Sequence, residues 1–439
     1  MRSKHWISFG GWIHRTGCSR LLLLSFVWLG LAVAPAARAA ILYNLVDLGA
    51  LGGTSSTANA MNASGQVTGY ANTSGNAALH AFLYSNGSMT DLGTLGGTLS
   101  YGEAINDSGQ VTGNAATSGP TSEQPYYAFL YTNGSMTDLG TLGGTSSYGD
   151  AINDSGQVTG SAATSGNAAA HAFLYSNGAM TDLGTLGGTY SVGTAINASG
   201  QVMGLASTSG DAAQDAFLYS NGHMTDLGTL GGTYSQGNGI NASGQVAGYS
   251  FTSGRVTHAF LYSDGSMMDL GTLGGTDSLG YAINDSGQVV GYANTSGNAA
   301  AHAFLYSNGS MTDLGTLGGT FSGGDAINDS GQVVGYADTS TGDQDAFLYS
   351  NGSMIDLNSV VAPGSDFTMT VADGINDAGD IYGEGTDSSG NSYAFELTPI
   401  AVPEPTSAGL LAIGSLLLLR RRARRQRASA EVGISIAPI

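Results

Sequence analysis

One unit of about 44 residues recurs eight times, and that repetition constrains the fold more than any other feature of the sequence. The Asp of an Asp-Leu pair stands at Asp47, Asp91, Asp138, Asp182, Asp226, Asp269, Asp313 and Asp356. An Asn, usually after Ile, follows at Asn62, Asn106, Asn153, Asn197, Asn241, Asn284, Asn328 and Asn376. The Phe of an Ala-Phe pair comes third, at Phe82, Phe129, Phe173, Phe217, Phe260, Phe304, Phe347 and Phe395. Three markers in one order, eight times over, require a repeat architecture.

Each unit reads as four short extended runs divided by turn signals. In 278–314 the runs are 281–284, 288–293, 302–306 and 310–314, separated by Asp-Ser-Gly, Asn-Thr-Ser-Gly-Asn and Ser-Asn-Gly. Asn-Gly between two strand-like runs is a strong hairpin signal. The Gly-Thr-Leu-Gly-Gly that follows reads as a loop. Four strands in this length make one blade of a β-propeller. The run Ala-Phe-Leu-Tyr is apolar at every position, which predicts cover on both faces, as between two blades. The phase agrees: 42–48 is a lone fourth strand, and 393–397 a third strand that it can complete. The fold class predicted is all-β, an eight-bladed propeller closed by its N-terminal strand, with a β-solenoid as the alternative.

Charge narrows the partners. Between residues 40 and 400 a single basic residue, Arg255, stands against 30 Asp and Glu. So acidic a chain repels phosphate backbones, which excludes nucleic acid as a partner. The only cysteine, Cys18, lies in the leader, so no disulfide is expected in the mature protein.

The ends read as addresses. A basic segment reaching Arg20, an apolar run 21–33 and Ala37 and Ala39, set for cleavage before Ala40, make 1–39 a signal peptide for signal peptidase. The alternative is an uncleaved anchor, for which the run is short. At the other end, Pro403, Glu404 and Pro405 precede an apolar segment 408–419, expected to be helical, and an Arg cluster with Arg420, Arg421 and Arg422. On physical grounds alone this is a weak anchor with a cytoplasmic positive stop. The ordered trio over 402–427 resembles the PEP-CTERM sorting signal. That resemblance implies transient inner-membrane anchoring, handling by an exosortase and a final location outside the inner membrane. A further stretch, 428–439, departs from the usual pattern. The domains expected are therefore 1–39, the repeat domain 40–400, the sorting signal 401–427 and the tail 428–439.

The unit itself, Gly-x-Ala-Ile-Asn-x-Ser-Gly-Gln-Val-x-Gly followed by HAFLYSNGSMTDLGTLGGT, resembles the HAF family of probable extracellular repeats over about 44–397. Where that family has His before Ala-Phe, this chain carries Asp215, Asp345, Tyr127 and Tyr393 in four copies. The resemblance implies an extracellular address and supplies no chemistry.

Candidate chemistry is sparse. His80, His171, His258 and His302 could share a metal if their strands faced one channel. The plainer expectation is a strand cap or a bond to a nearby turn. The Asn-Asp-Ser-Gly turns offer oxygen ligands but lack the spacing of a calcium loop; no cofactor is expected, and the place for a calcium ion is Asp373, Asp377, Asp380 and Glu384. The Asp and Asn present in every copy are expected to fix turns or bridge blades. The residues after Gly-Gly-Thr (Leu99, Ser146, Tyr190, Tyr234, Asp277, Phe321) vary and could tune contacts. No catalytic constellation is visible. The expected function is non-enzymatic binding or structure in the exopolysaccharide matrix or envelope; the alternative is a propeller enzyme on extracellular polysaccharide. Acidic and aromatic exceptions converging on one pore mouth would favour the enzyme, and a ring uniform in all blades would favour binding.

Overall fold

A computed structural model describes residues 42–118, 125–362 and 365–400. The expected signal peptide with Ala37 and Ala39 lies outside them. So does the sorting tail with Pro403, Glu404, Pro405, the apolar segment 408–419 and Arg420, Arg421 and Arg422. Among the described residues no helix is long and apolar enough to cross a membrane.

The described chain is built from strands in groups of four, joined by tight turns. In the sixth group the strands are Gly274–Ile283, Val289–Thr295, Ala301–Ser307 and Ser310–Asp313, each antiparallel to the one before. Asn308 and Gly309 both have positive φ in the hairpin between the last two, as a two-residue Asn-Gly turn requires. The first strand begins earlier than its sequence suggests. Gly274 and Gly275, read as loop, already belong to it. A Cβ at Gly275 would lie 2.6 Å from Asn294 Cβ and from the Thr295 carbonyl oxygen. The glycine here permits close approach of the second strand.

The eighth group draws on both ends of the chain. Its sheet runs Leu42–Gly49, Ser392–Ile400, Ile381–Asp387, Phe367–Ile375, with Leu42 opposite Ile400 and Leu45 opposite Leu397. This is the closure that the phase of the repeats predicts. Group eight then packs on group one. Ala394 N donates to Ser56 Oγ at 3.0 Å, the same bond that Ala81 N makes to Ser100 Oγ (2.8 Å) between groups one and two. First and last units therefore meet as any two neighbours do. The fold is an eight-bladed β-propeller, and a solenoid, whose end coils stay apart, does not describe it.

The core lies between blades. All eight Phe side chains of the Ala-Phe pairs are fully buried. In one cluster Phe304, Val289 and Ala293 of blade six pack on Ala247, Ala259 and Leu261 of blade five. Each Phe contributes about 1.5–3 kcal/mol by leaving water. Ala303 and Phe304, on opposite faces of one strand, are both buried, which accounts for a run with no polar alternation.

Candidate functional site

The first strand of every blade touches the first strands of its neighbours, so these eight strands surround the axis. At the end of each stands the recurrent Asn. Its Oδ1 accepts N–H groups of its own turn, as Asn241 does from Ser243 and Gln245. One Nδ2 hydrogen goes to Gln245 Oε1 (2.8 Å) and the other to the Asn284 carbonyl of the next blade (3.1 Å). The inter-blade bond repeats from blade to blade at 3.0–3.3 Å, and Asn376 closes the cycle on the Asn62 carbonyl. Beside it, Asp107, Asp154, Asp285, Asp329 and Asp377 each accept a backbone N–H from the preceding blade. A cavity of about 370 Å³ opens at this mouth, walled by Ile, Asn and Asp side chains. The recurrent Asn thus fixes a turn and bridges blades at once.

Three residues before each Asn, ~10 Å along the strand, the ring stops being uniform. The pairing register slips there in every blade, leaving one extra residue on the first strand. Such a bulge re-aims a side chain. The residues it presents are Asn59, Glu103, Asp150, Thr194, Asn238, Tyr281, Asp325 and Asp373. Opposite the bulge, the Gly of Val-x-Gly leaves room for a carbonyl: a Cβ on Gly291 would collide with the Leu279 oxygen. These side chains reach around the axis. Asn59 Nδ2 donates to the Gly102 carbonyl (2.9 Å) and to Glu103 Oε2 (3.1 Å) of the next blade.

The acids among them fall into two neighbouring pairs. Burial, and then the Glu103 charge, push Asp150 up to about 7. Burial, and then Asp373, push Asp325 up to about 8. Asp373 itself rises to about 7 through burial, with Glu384 adding to it. Burial raises Glu103 against the lowering effect of its Asn114 bond. Among the described residues the only Lys or Arg is Arg255, on an exposed turn of blade five.

Aromatic rings form a belt beside these acids. Tyr70, Tyr101, Tyr126 and Tyr148 follow one another at centroid separations of 5.1–6.2 Å across three blades. Tyr234 meets Tyr249 and Phe251; Tyr281, Tyr292, Phe321 and Tyr336 form a third run. Burial, and then Asp150, raise Tyr190, and Tyr336 is pushed up to about 12 by burial and then by Asp325. Tyr148, Tyr190 and Phe251 are 40 %, 37 % and 40 % exposed, open to a ligand.

Of the variable positions after Gly-Gly-Thr, Tyr190, Tyr234 and Phe321 join this belt. Asp277 is bonded to the Thr257 N–H. The four His stand elsewhere and do not converge. Each Nδ1 lies 2.9 Å from the Asp of the Asp-Leu pair on the adjoining strand, as His302 does from Asp313. In blade four Asp215 replaces His and faces Asp226, with its Oδ1 buried and without a hydrogen-bond partner. The acidic quartet divides. Asp373 belongs to the bulge tier and Glu384, on the second strand, adds to its upward shift, while Asp377 holds the Asp329 N–H and Asp380 the Asn376 amide. Among the described residues no three His, Cys, Asp or Glu are placed to share a metal ion. Sequence reasoning missed Glu103, Asp150 and Asp325. Their signal was variation at one fixed offset from an invariant Asn.

The solved structures that resemble the chain include a Mycobacterium tuberculosis puromycin-hydrolyzing peptidase (13% identity, TM-score 0.41, covering 67% of this chain and 53% of that one). An acylaminoacyl peptidase of Pyrococcus horikoshii is similar at 9% identity and TM-score 0.44, covering 71% and 54%. A mutant Aleuria aurantia lectin in complex with alpha-methyl-L-fucoside is similar at 10% identity and TM-score 0.29, covering 72% and 94%. The chain spans about half the length of the two peptidases. Likenesses this distant carry nothing over to its activity. No curated protein matches the sequence. Residues 275–398 match a family described as a protein of unknown function, DUF3466.

Proposed function

We propose that this protein is a non-enzymatic binding component of the exopolysaccharide matrix or cell envelope, which holds glycan on the tyrosine belt around its axis. The carrying observation is that belt: half-exposed aromatic rings on neighbouring blades, close to the acids of the bulge. Flat rings present apolar faces to sugar rings, and the polar groups between them fix orientation. Several similar blades offer contacts that are weak singly and strong together. The HAF-like units, the signal peptide with Ala37 and Ala39 and the PEP-CTERM-like tail support export, with signal peptidase and an exosortase acting on the way.

Electrophoresis of the full secreted chain through gels containing candidate polysaccharides tests this. Retarded migration in at least one gel is expected, relieved by Tyr148→Ala and Tyr190→Ala. Unretarded migration through the whole panel would remove the proposal. A second reading, a hydrolase acting on extracellular polysaccharide, draws on the Asp325–Asp373 pair. One carboxyl held protonated near neutrality beside another is the arrangement of general acid catalysis. That reading requires release of new reducing ends, abolished in Asp325→Asn.

A further inference from the structure

We infer that the apolar segment 408–419 of this chain, when outside a membrane, docks in a groove of its own repeat domain at the seam of blade eight. The groove measures about 570 Å³ and is walled by Leu42, Tyr43, Leu45, Val360, Val361 and Ile400. No charged side chain lines it, on a domain that carries 30 Asp and Glu. Leu42 and Ile400, opposite each other in the closing pair of strands, are 44 % and 48 % exposed. Blade eight alone is built this way. After Asp-Leu the other seven units run Gly-x-Leu-Gly-Gly, whereas the last runs Asn358-Ser-Val-Val-Ala362. Tyr43 N donates to the Val360 carbonyl at 3.0 Å, which holds this apolar loop beside the first strand. The one unit that exchanges glycine for valine here is the unit from which the tail departs.

Reach and charge single out the occupant. Eight residue steps lead from Ile400, in the wall of the groove, to Ala408. They span at most ~28 Å, so the tether keeps the segment at high effective concentration and a weak contact suffices. A helix of this length, ~18 Å, can lay one stripe of Leu and Ile side chains along the groove. Directly behind it come Arg420, Arg421, Arg422, Arg424, Arg425 and Arg427. An apolar segment followed by cations matches an apolar groove set in an acidic surface. A second copy of the repeat domain would bring like charge against like, and so would an anionic bilayer.

The test uses the full chain, purified with its tail intact from a host without an exosortase. Cys18 is the only cysteine, so a Cys18→Ser background leaves introduced thiols alone. Asn44→Cys, an exposed position in the groove, is paired with Leu411→Cys or Leu417→Cys and treated with a short bismaleimide. Thr225→Cys, exposed on the outer strand of blade four, is the control partner. Cross-linking within one chain is expected at Asn44→Cys in at least ~10-fold higher yield than at Thr225→Cys. Leu42→Glu with Ile400→Glu, which charges the rim, should remove that excess and increase flotation of the chain with phosphatidylcholine vesicles. Circular dichroism reports the fold of every variant. Equal yields at the two positions overturn the inference. So does a yield untouched by the rim glutamates, because tethering alone would then account for it. Cross-links between chains would make a second copy the occupant, and flotation of the unaltered chain as complete as that of the rim variant would make it lipid; either result overturns the inference.

Discussion

At Asn241 each amide hydrogen has its own acceptor, one in the home blade and one in the next, while the carbonyl oxygen collects two backbone N–H groups. No other side chain of that length carries two donors and an acceptor. Asn241→Asp keeps the acceptor and loses both donors, and it sets a carboxylate oxygen against two oxygens. Equilibrium urea unfolding should show a loss of about 2–4 kcal/mol. An unchanged midpoint would show that the cycle does not hold the blades. Asp215 supplies the converse case. There a carboxylate faces Asp226 where other blades pair His with Asp, and burial first, then Asp226, raises its pKa. Asp215→His should restore the 2.9 Å contact seen at His302 and Asp313 and stabilise the fold by ~1 kcal/mol. The same titration reads the gain; a destabilised variant would mean that His does not fit blade four.

Among elements, the first strand of the blade matters most, because it carries the bulge. Its partner glycine is what allows the bulge to form. Gly291→Ala drives a methyl group into the Leu279 carbonyl oxygen, so strand or neighbour must shift. We expect a cost of about 1–3 kcal/mol, read by chemical denaturation, together with weaker ligand binding as Tyr281 is displaced. A variant of full stability would show the bulge to be compliant. The four strands, their turns and the closing pair were legible because turn chemistry and apolar runs act locally. The start of the first strand was not, since Gly-Gly ordinarily signals a turn and here serves close approach. The bulge was hidden for a related reason. A slip in register belongs to two strands at once, and a single strand's residues do not display it. Glu103, Asp150 and Asp325 therefore read as tolerated variation until the pairing is known.

For the whole molecule, the bulge-tier acids set how stability depends on pH. Asp150, Asp325 and Asp373 rise from 3.8 to about 7, 8 and 7 on folding. The folded state thus keeps protons that the unfolded chain releases above its own carboxyl pKa. Their contribution is complete below that value and is lost as pH climbs through 7 to 8. Unfolding free energy should fall between about pH 5 and pH 9. Asp211 and Asp387 act in the opposite sense, held low by bonds to Thr189 and Asn391, and matter only on the acid side. Denaturant titrations at three pH values check this; stability that rises with pH would contradict it. The Asn cycle has a consequence of a different kind. A helix has two termini, with orphaned groups and a dipole whose ends attract ions. Eight amides linked head to tail in a circle have no termini, and their in-plane dipoles largely cancel. The cycle therefore has no end from which to fray.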